Sequence, residues 1–262
     1  MQTTFKNKLS IITVVLNDVL NIENTLLSII SQTYSNLELI VIDGGSVDGT
    51  LDIINKFRSC IKILISEQDN GIYDAMNKGV NLSTGEYIIF MNSGDCFFNE
   101  NSITTVVNQS TTNFDVLICS TAVKYEYFYK IRHPSNMNNI WKGMSFCHQS
   151  VLVKKLYLSK NPFDISLRIA ADYEFFMKLY FVEKVNFELS NSILAIVSPG
   201  GISDLNRIET IESWATVAKK YDSSTLKLFI FYFLLITYNK FKIIVKKTLP
   251  SRLNLFILKI IN

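Results

Sequence analysis

The chain has 262 residues, 48% of them hydrophobic and 19% charged. That length suits one α/β domain with an appendage, and the composition excludes a disordered polypeptide, which is poorer in apolar residues and richer in charge. The net charge of +3 is unevenly spread: from Thr225 onward there are seven basic residues (Lys227, Lys240, Lys242, Lys246, Lys247, Arg252 and Lys259) and no acidic one. The body is therefore mildly acidic and the tail basic and apolar, a combination suited to an anionic surface.

In chain order, Leu9-Ser-Ile-Ile-Thr-Val-Val-Leu16 reads as a strand buried on both faces, as in a parallel sheet. The run is short and no small-residue cleavage site follows, so no signal peptide is expected and the protein is expected in the cytoplasm. Asn21 is placed to cap a helix with apolar positions at Ile22, Leu26, Ile29 and Ile30. A second strand over residues 37–42 ends at Asp43-Gly44-Gly45-Ser46; a helix over 48–57, a strand over 61–65, a helix over 72–80 and a strand over 86–91 follow, the last ending at Asn92-Ser93-Gly94-Asp95. Alternating strands and helices predict an α/β fold with a mainly parallel central sheet and right-handed crossovers. Beyond about residue 115, Val123, Tyr125, Tyr127, Tyr129 and Ile131 alternate with more polar positions, which predicts one antiparallel strand. Residues 170–182 read as a helix and Pro199-Gly200-Gly201 as a turn.

The tail carries an apolar run over residues 228–238, shorter than the roughly 20 residues of a membrane span, and a second apolar and basic stretch over 253–261. Both are expected as amphipathic helices that lie on a membrane surface or pack on protein. Cys60, Cys96, Cys119 and Cys147 show no C-x-x-C spacing, which argues against a zinc or redox motif; they are read as small buried residues in a reducing compartment. The tail lysines are interleaved with aliphatic runs, so no nucleic-acid partner is expected.

In open α/β sheets ligands bind at the carboxyl ends of strands, where Asn17-Asp18, Asp43 and the 92–95 turn fall. Asp43 is placed to bond a ribose or base, or its own loop. No glycine-rich dinucleotide fingerprint or Walker loop is present, so a diphosphate would need a divalent cation, which favours carboxylate oxygen; Asp95 is the candidate, a turn aspartate being the plainer alternative.

The runs Ser10-Ile-Ile-Thr-Val-Val-Leu-Asn17, Ser31-Gln-Thr-Tyr-Ser-Asn-Leu-Glu-Leu-Ile-Val-Ile-Asp-Gly-Gly-Ser-Val-Asp-Gly-Thr50, Asp69-Asn-Gly-Ile-Tyr-Asp-Ala-Met-Asn-Lys-Gly79 and Gly85-Glu-Tyr-Ile-Ile-Phe-Met-Asn-Ser-Gly-Asp95 resemble glycosyltransferase family 2 in order and spacing. The likeness is nearest to bacterial capsule, colanic-acid and lipopolysaccharide-type transferases. It continues through Phe146-Cys-His-Gln149, Arg168-Ile-Ala-Ala-Asp-Tyr-Glu174 and Gly200-Gly-Ile-Ser203, and does not cover the tail.

The resemblance implies a GT-A fold and an inverting transferase that uses a nucleotide-sugar donor, a Mn or Mg ion and a saccharide or lipid-linked saccharide acceptor. It implies donor contacts at Thr13, Asn17, Asp43, Asp69, Asp74, Lys78 and Ser93, and a metal and diphosphate ligand at Asp95. Ser93 stands where the family's D-x-D motif has its first aspartate. His148 is a candidate for the acceptor or metal side. Asp172 matches the family's catalytic base, with a helix-capping charge as the alternative. The expected division is a transferase domain over residues 1–224, with a donor half at about 8–115 and an acceptor half at about 116–224, and a basic helical tail over 225–262. The expected location is the inner face of the cell membrane, peripherally bound; oligomeric state is left open. The rival readings are a non-catalytic nucleotide-sugar-binding scaffold, which Ser93 favours, and a nucleotidyltransferase, which Asn17-Asp18-Val19-Leu20 disfavours.

Overall fold

The computed structural model describes residues 5–111, 114–222 and 224–248. The first half runs β1 (Leu9–Val15), α1 (Ile22–Ile30), β2 (Leu37–Asp43), α2 (Thr50–Lys56), β3 (Ile63–Ser66), α3 (Ile72–Leu82), β4 (Tyr87–Phe90), β5 (Cys96–Phe97) and α4 (Ser102–Gln109). The second half runs β6 (Val116–Lys124), β7 (Tyr129–Arg132), β8 (Val151–Lys154), α5 (Lys155–Lys160), α6 (Ala171–Lys178), β9 (Phe187–Val197), α7 (Ile202–Leu205), α8 (Arg207–Tyr221) and α9 (Thr225–Thr248).

Among the described residues the strands form one sheet in the order β3-β2-β1-β4-β8-β6-β9-β5, with β7 paired to β6. β1 pairs in parallel with β2 and β4, and β2 with β3. β8 runs antiparallel to both β4 and β6, and so joins the parallel half to the second half. Every residue of β1 is buried, as a central parallel strand requires. Its side chains alternate between two cores: Ile12 and Val14 join α3, α6, α8 and α9, whereas Ile11 and Val15 join α1, α2 and α4.

Several expectations need correction. Asn21 makes no side-chain cap; the Asp18 carbonyl accepts the Asn21 and Ile22 amides, and the Asn21 amide group bonds the Asp18 carboxylate. The single strand expected across residues 123–131 is a hairpin: the Tyr125 amide bonds the Phe128 carbonyl across a turn, and β7 folds back on β6. Tyr125 and Phe128 stack on each other across that turn, 4.9 Å between centroids. Cys119 is buried, but Cys60 is exposed, because it lies in a short helical turn on the surface. Finally, the apolar run at 228–238 belongs to a longer helix. Its segment Thr225–Val245 is long and apolar enough to cross a membrane by length and composition, with a mean hydropathy of 1.7. The stretch at 253–261 lies outside the described residues.

Candidate active site

The carboxyl ends of β1, β2 and β4 meet at one edge of the sheet, and the loops there carry most of the residues singled out in the sequence. Asp43 ends β2 fully buried. Its carboxylate accepts bonds from the Ser46 amide (3.1 Å), the Ser46 hydroxyl (2.5 Å) and the Ser66 hydroxyl (2.6 Å). The loop after β1 docks on the same feature: the Asn17 amide bonds Ser46 Oγ, and the Val47 amide bonds Asn17 Oδ1, each at 2.8–2.9 Å. Asn17 achieves this with a left-handed backbone, φ 51°, a conformation asparagine tolerates better than most residues. Asp69 packs its carboxylate over Gly44, where a Cβ would lie 2.5 Å from Oδ2.

Thr13 lies apart from this edge. β1 continues two residues beyond it, and its hydroxyl is enclosed without a hydrogen-bond partner among the described residues. Lys78 bonds Glu67 at 2.9 Å and lies 3.5 Å from Asp74. The Glu67 bond is the main reason its pKa is raised, so its charge is already shared by two carboxylates. Asp74 also accepts the Asn70 amide at 3.0 Å, which lowers its pKa.

The turn after β4 presents Asp95. Gly94 adopts φ +91°, which favours glycine, and its amide bonds Thr25 Oγ1 at 3.0 Å. The same hydroxyl donates to the Asp95 carbonyl at 2.8 Å, so α1 clamps the turn. Ser93 donates to Asp18 Oδ2 at 2.6 Å. Ser93 thus holds a carboxylate of the neighbouring loop against the turn. Asp95 Oδ2 accepts the Gln149 side chain at 2.6 Å. Burial pushes the Asp95 carboxyl up to about 6, although the Gln149 bond and nearby His148 pull the other way.

On the other side of the turn at His148, α6 begins at Ala171 after Ala170, a buried non-glycine residue held at φ 78°. Such strain costs on the order of 1–3 kcal/mol and persists only where the surroundings impose it. It starts the helix so that Asp172 sits in the first turn, where the amide ends favour a carboxylate. Asp172 Oδ1 accepts the Tyr73 hydroxyl at 3.0 Å, and Oδ2 lies 3.3 Å from His148 Nδ1. Burial alone would raise its pKa; His148, Tyr73 and the Tyr173 amide outweigh that and hold it below the ordinary value. The other ring nitrogen, Nε2, lies 3.1 Å from the Asn92 amide nitrogen. Glu174 turns away and bonds Lys220 at 2.8 Å and the Tyr221 hydroxyl, which anchors α6 to α8.

The short helical turn His148–Ser150 therefore ties the two carboxylates together, His148 to Asp172 and Gln149 to Asp95. Tyr73, Thr25 and Gln149 carried no assigned role in the sequence. Gln149 and Tyr73 do lie inside the motif runs, which was their one visible signal; Thr25 had none.

Among the described residues no three His, Cys, Asp or Glu side chains converge as a protein-only metal cage. The donor set nonetheless suits a hard cation held jointly with a diphosphate. Among the described residues, Asp95 is a buried carboxylate with only a neutral amide bonded to it, and Asn92 Oδ1 is a buried oxygen with no partner. Magnesium-like ions usually take one or two carboxylates and fill the remaining positions with phosphate oxygens and water.

A family model described as glycosyl transferase family 2 matches residues 10–183, more than half of the chain. A PGL/p-HBAD biosynthesis glycosyltransferase of Mycobacterium bovis (strain BCG / Pasteur 1173P2) is 30% identical over 164 residues, covering 58% of this chain and 62% of that protein. The chain thus spans less than two thirds of that relative's length. Among solved structures, S. aureus TarS 1-349 in complex with UDP matches with a TM-score of 0.64 and 20% identity over 96% of this chain and 75% of that one. A mannosyltransferase from Pyrobaculum calidifontis in complex with GDP-Man and Mn2+ matches with a TM-score of 0.64 and 16% identity, covering 83% and 64% of the two chains. At these identities the structural likeness speaks for the fold.

Proposed function

The chain belongs to glycosyltransferase family 2 and has the GT-A fold, and from that premise we propose that it performs inverting sugar transfer from a nucleoside-diphosphate sugar to the hydroxyl of a lipid-linked saccharide. The observation that carries this reading is the linking of Asp172 and Asp95 through the neighbouring residues His148 and Gln149. Asp172 is held ionised, as a general base must be, and its two oxygens are aimed by Tyr73 and His148. In the proposed step Asp172 takes the acceptor proton as the acceptor oxygen bonds the anomeric carbon. The bond from that carbon to the diphosphate breaks on the opposite face, and the nucleoside diphosphate departs with the electron pair. One displacement inverts the anomeric centre.

Asp95, with Asp18 beside it, would hold a divalent cation, and the cation would supply positive charge to the departing diphosphate. Asn17 and Asp43 build the pocket wall for the nucleoside through the Ser46 loop, while Asp69, Asp74 and Lys78 border the donor side. The acceptor half is assigned to about residues 116–224, and the chain is assigned to the inner face of a membrane through α9, in cell-surface polysaccharide or lipopolysaccharide synthesis.

Asp172→Asn keeps the size and the Tyr73 contact but removes the base. Transfer is expected to fall by about 10²–10⁴-fold with nucleoside-diphosphate binding intact. Product assays and thermal-shift titration measure the two arms; a variant that transfers at the wild-type rate refutes the assignment. Donor hydrolysis by the wild type separates an enzyme from a non-catalytic scaffold.

A further inference from the structure

A cavity of about 770 Å³ opens between the short helical turn Met137–Lys142, the loop after it, α8 and α9. Arg132, Lys142, Arg207 and Lys242 line it, and Asp204 is the one acidic residue among the described lining residues. Among the described residues no carboxylate lies within ion-pair distance of Arg132, Lys142 or Arg207. Aromatic faces hold the cations in place: Arg207 sits 5.1 Å over Trp214, and Lys142 5.3 Å over Trp141. Arg207 is partly buried. Burial lowers its pKa; Asp204 works against that, and the like charge of Arg132 adds to the lowering. Two guanidinium groups brought together in a cavity repel each other unless an anion lies between them, and their fork geometry matches phosphate oxygens.

One contact connects this cavity to the neighbourhood of Asp172. Trp214 packs on Tyr173, the residue after Asp172, with centroids 5.8 Å apart. The cavity's far wall is α9, which contributes Phe231 and Lys242 and exposes Phe229 and Phe233 on its outer side.

We propose that this cavity seats the phosphate headgroup of the lipid-linked acceptor, with Arg132 and Arg207 as the clamp and Lys142 and Lys242 at its rim. The lipid chain then follows the apolar side of α9, and the saccharide extends toward Asp172. The inference rests on the transferase reading and extends it to the acceptor's chemical class: a phosphorylated lipid rather than a neutral sugar or a protein.

The test uses the full chain with Arg132→Gln and Arg207→Gln combined, and phosphatidylcholine vesicles doped either with phosphatidylinositol, whose phosphodiester joins a lipid to a ring of hydroxyls, or with cholesteryl hemisuccinate, an anionic lipid without phosphate, at matched surface charge. The wild type is expected to prefer phosphatidylinositol. The double variant is expected to lose about tenfold in affinity for those vesicles, the scale of losing charge-assisted hydrogen bonds, and to keep its binding to the hemisuccinate vesicles. Its thermal shift with nucleoside diphosphate and manganese is expected to match the wild type, which also shows that it folds. Equal loss on both vesicles would reduce the arginines to general surface charge and overturn the proposal, as would no loss on either. Stabilisation by inorganic pyrophosphate without preference for phosphatidylinositol would make this a soluble-phosphate site and overturn the lipid source. Failure of donor binding or hydrolysis in the wild type would instead overturn the transferase reading, so the two failures are distinguishable.

Discussion

At the scale of single residues, Asp43 and Asp95 are both held by partners remote in the chain: Ser66 donates to Asp43 and Gln149 to Asp95, each at 2.6 Å. Asp43 and Asp95 were legible because Asp43 ends an apolar run and Asp95 closes the polar turn that follows one. The bonds that give them meaning were not: Ser66 lies 23 residues from Asp43, and Gln149 lies 54 residues from Asp95. The consequence is sharpest for Asp95. Its folded pKa of about 6 lies above the ordinary 3.8. A raised carboxyl favours folding fully below its unfolded value, and that contribution is lost as pH rises through the folded value. Without ligands, Asp95→Asn is therefore expected to melt above the wild type at pH 7 to 8, with the gap closing toward pH 4. A cation competes with the proton for the same carboxylate, so the wild-type thermal shift with manganese and nucleoside diphosphate should weaken as pH drops below about 6. A pH series of melting curves checks both signs; a constant gap between the two proteins across that range would remove burial of the Asp95 charge as the cause.

At the scale of elements, the parallel half was readable because each strand–helix–strand unit is local and its apolar runs are continuous. The second half was not. β9 pairs in parallel with β6, some 70 residues earlier, and its residues Glu188, Ser190, Asn191 and Ser192 interrupt any apolar pattern. Its strand character comes from neighbours, not from its own composition. Packing shows the same dependence in α3, which lies on β1 through Gly79. A Cβ there would lie 2.4 Å from Ile12 Cγ2, in a strand with no exposed residue. Two effects oppose each other in Gly79→Ala: helix propensity gains about 1 kcal/mol, and overpacking costs about 1–3 kcal/mol. Ile12 is β-branched and fully enclosed, so its methyl has no second rotamer to occupy. Overpacking is expected to win, lowering the urea midpoint by the equivalent of about 1 kcal/mol. A midpoint at or above the wild type would mean that α3 can lift from the sheet without loss.

At the scale of the whole molecule, the charge split between body and tail was visible in composition, but the form of the tail was not. The apolar run of the sequence covers residues 228–238, yet α9 continues to Thr248, and polar side chains along it bond back into the helix. Thr237 donates to the Phe233 carbonyl and Asn239 to the Leu235 carbonyl, each at 2.8 Å. One face docks on the body: Leu228 and Tyr232 are buried, and the Tyr232 hydroxyl bonds the Trp141 carbonyl at 2.8 Å. The other face carries Phe229, Phe233 and Phe241, 62%, 57% and 53% exposed, with Lys240 among them. A helix crossing a bilayer would have to give up the docked face, whereas one lying at the headgroups keeps it and buries the phenylalanines. Replacing Phe229, Phe233 and Phe241 by serine is therefore expected to cut co-sedimentation with phosphatidylglycerol vesicles by at least about tenfold, with nucleotide binding unchanged. Alkaline carbonate should release the wild type from those vesicles. Retention in the pellet would show that α9 leaves the body and spans the bilayer, and would move the acceptor cavity's far wall into the lipid.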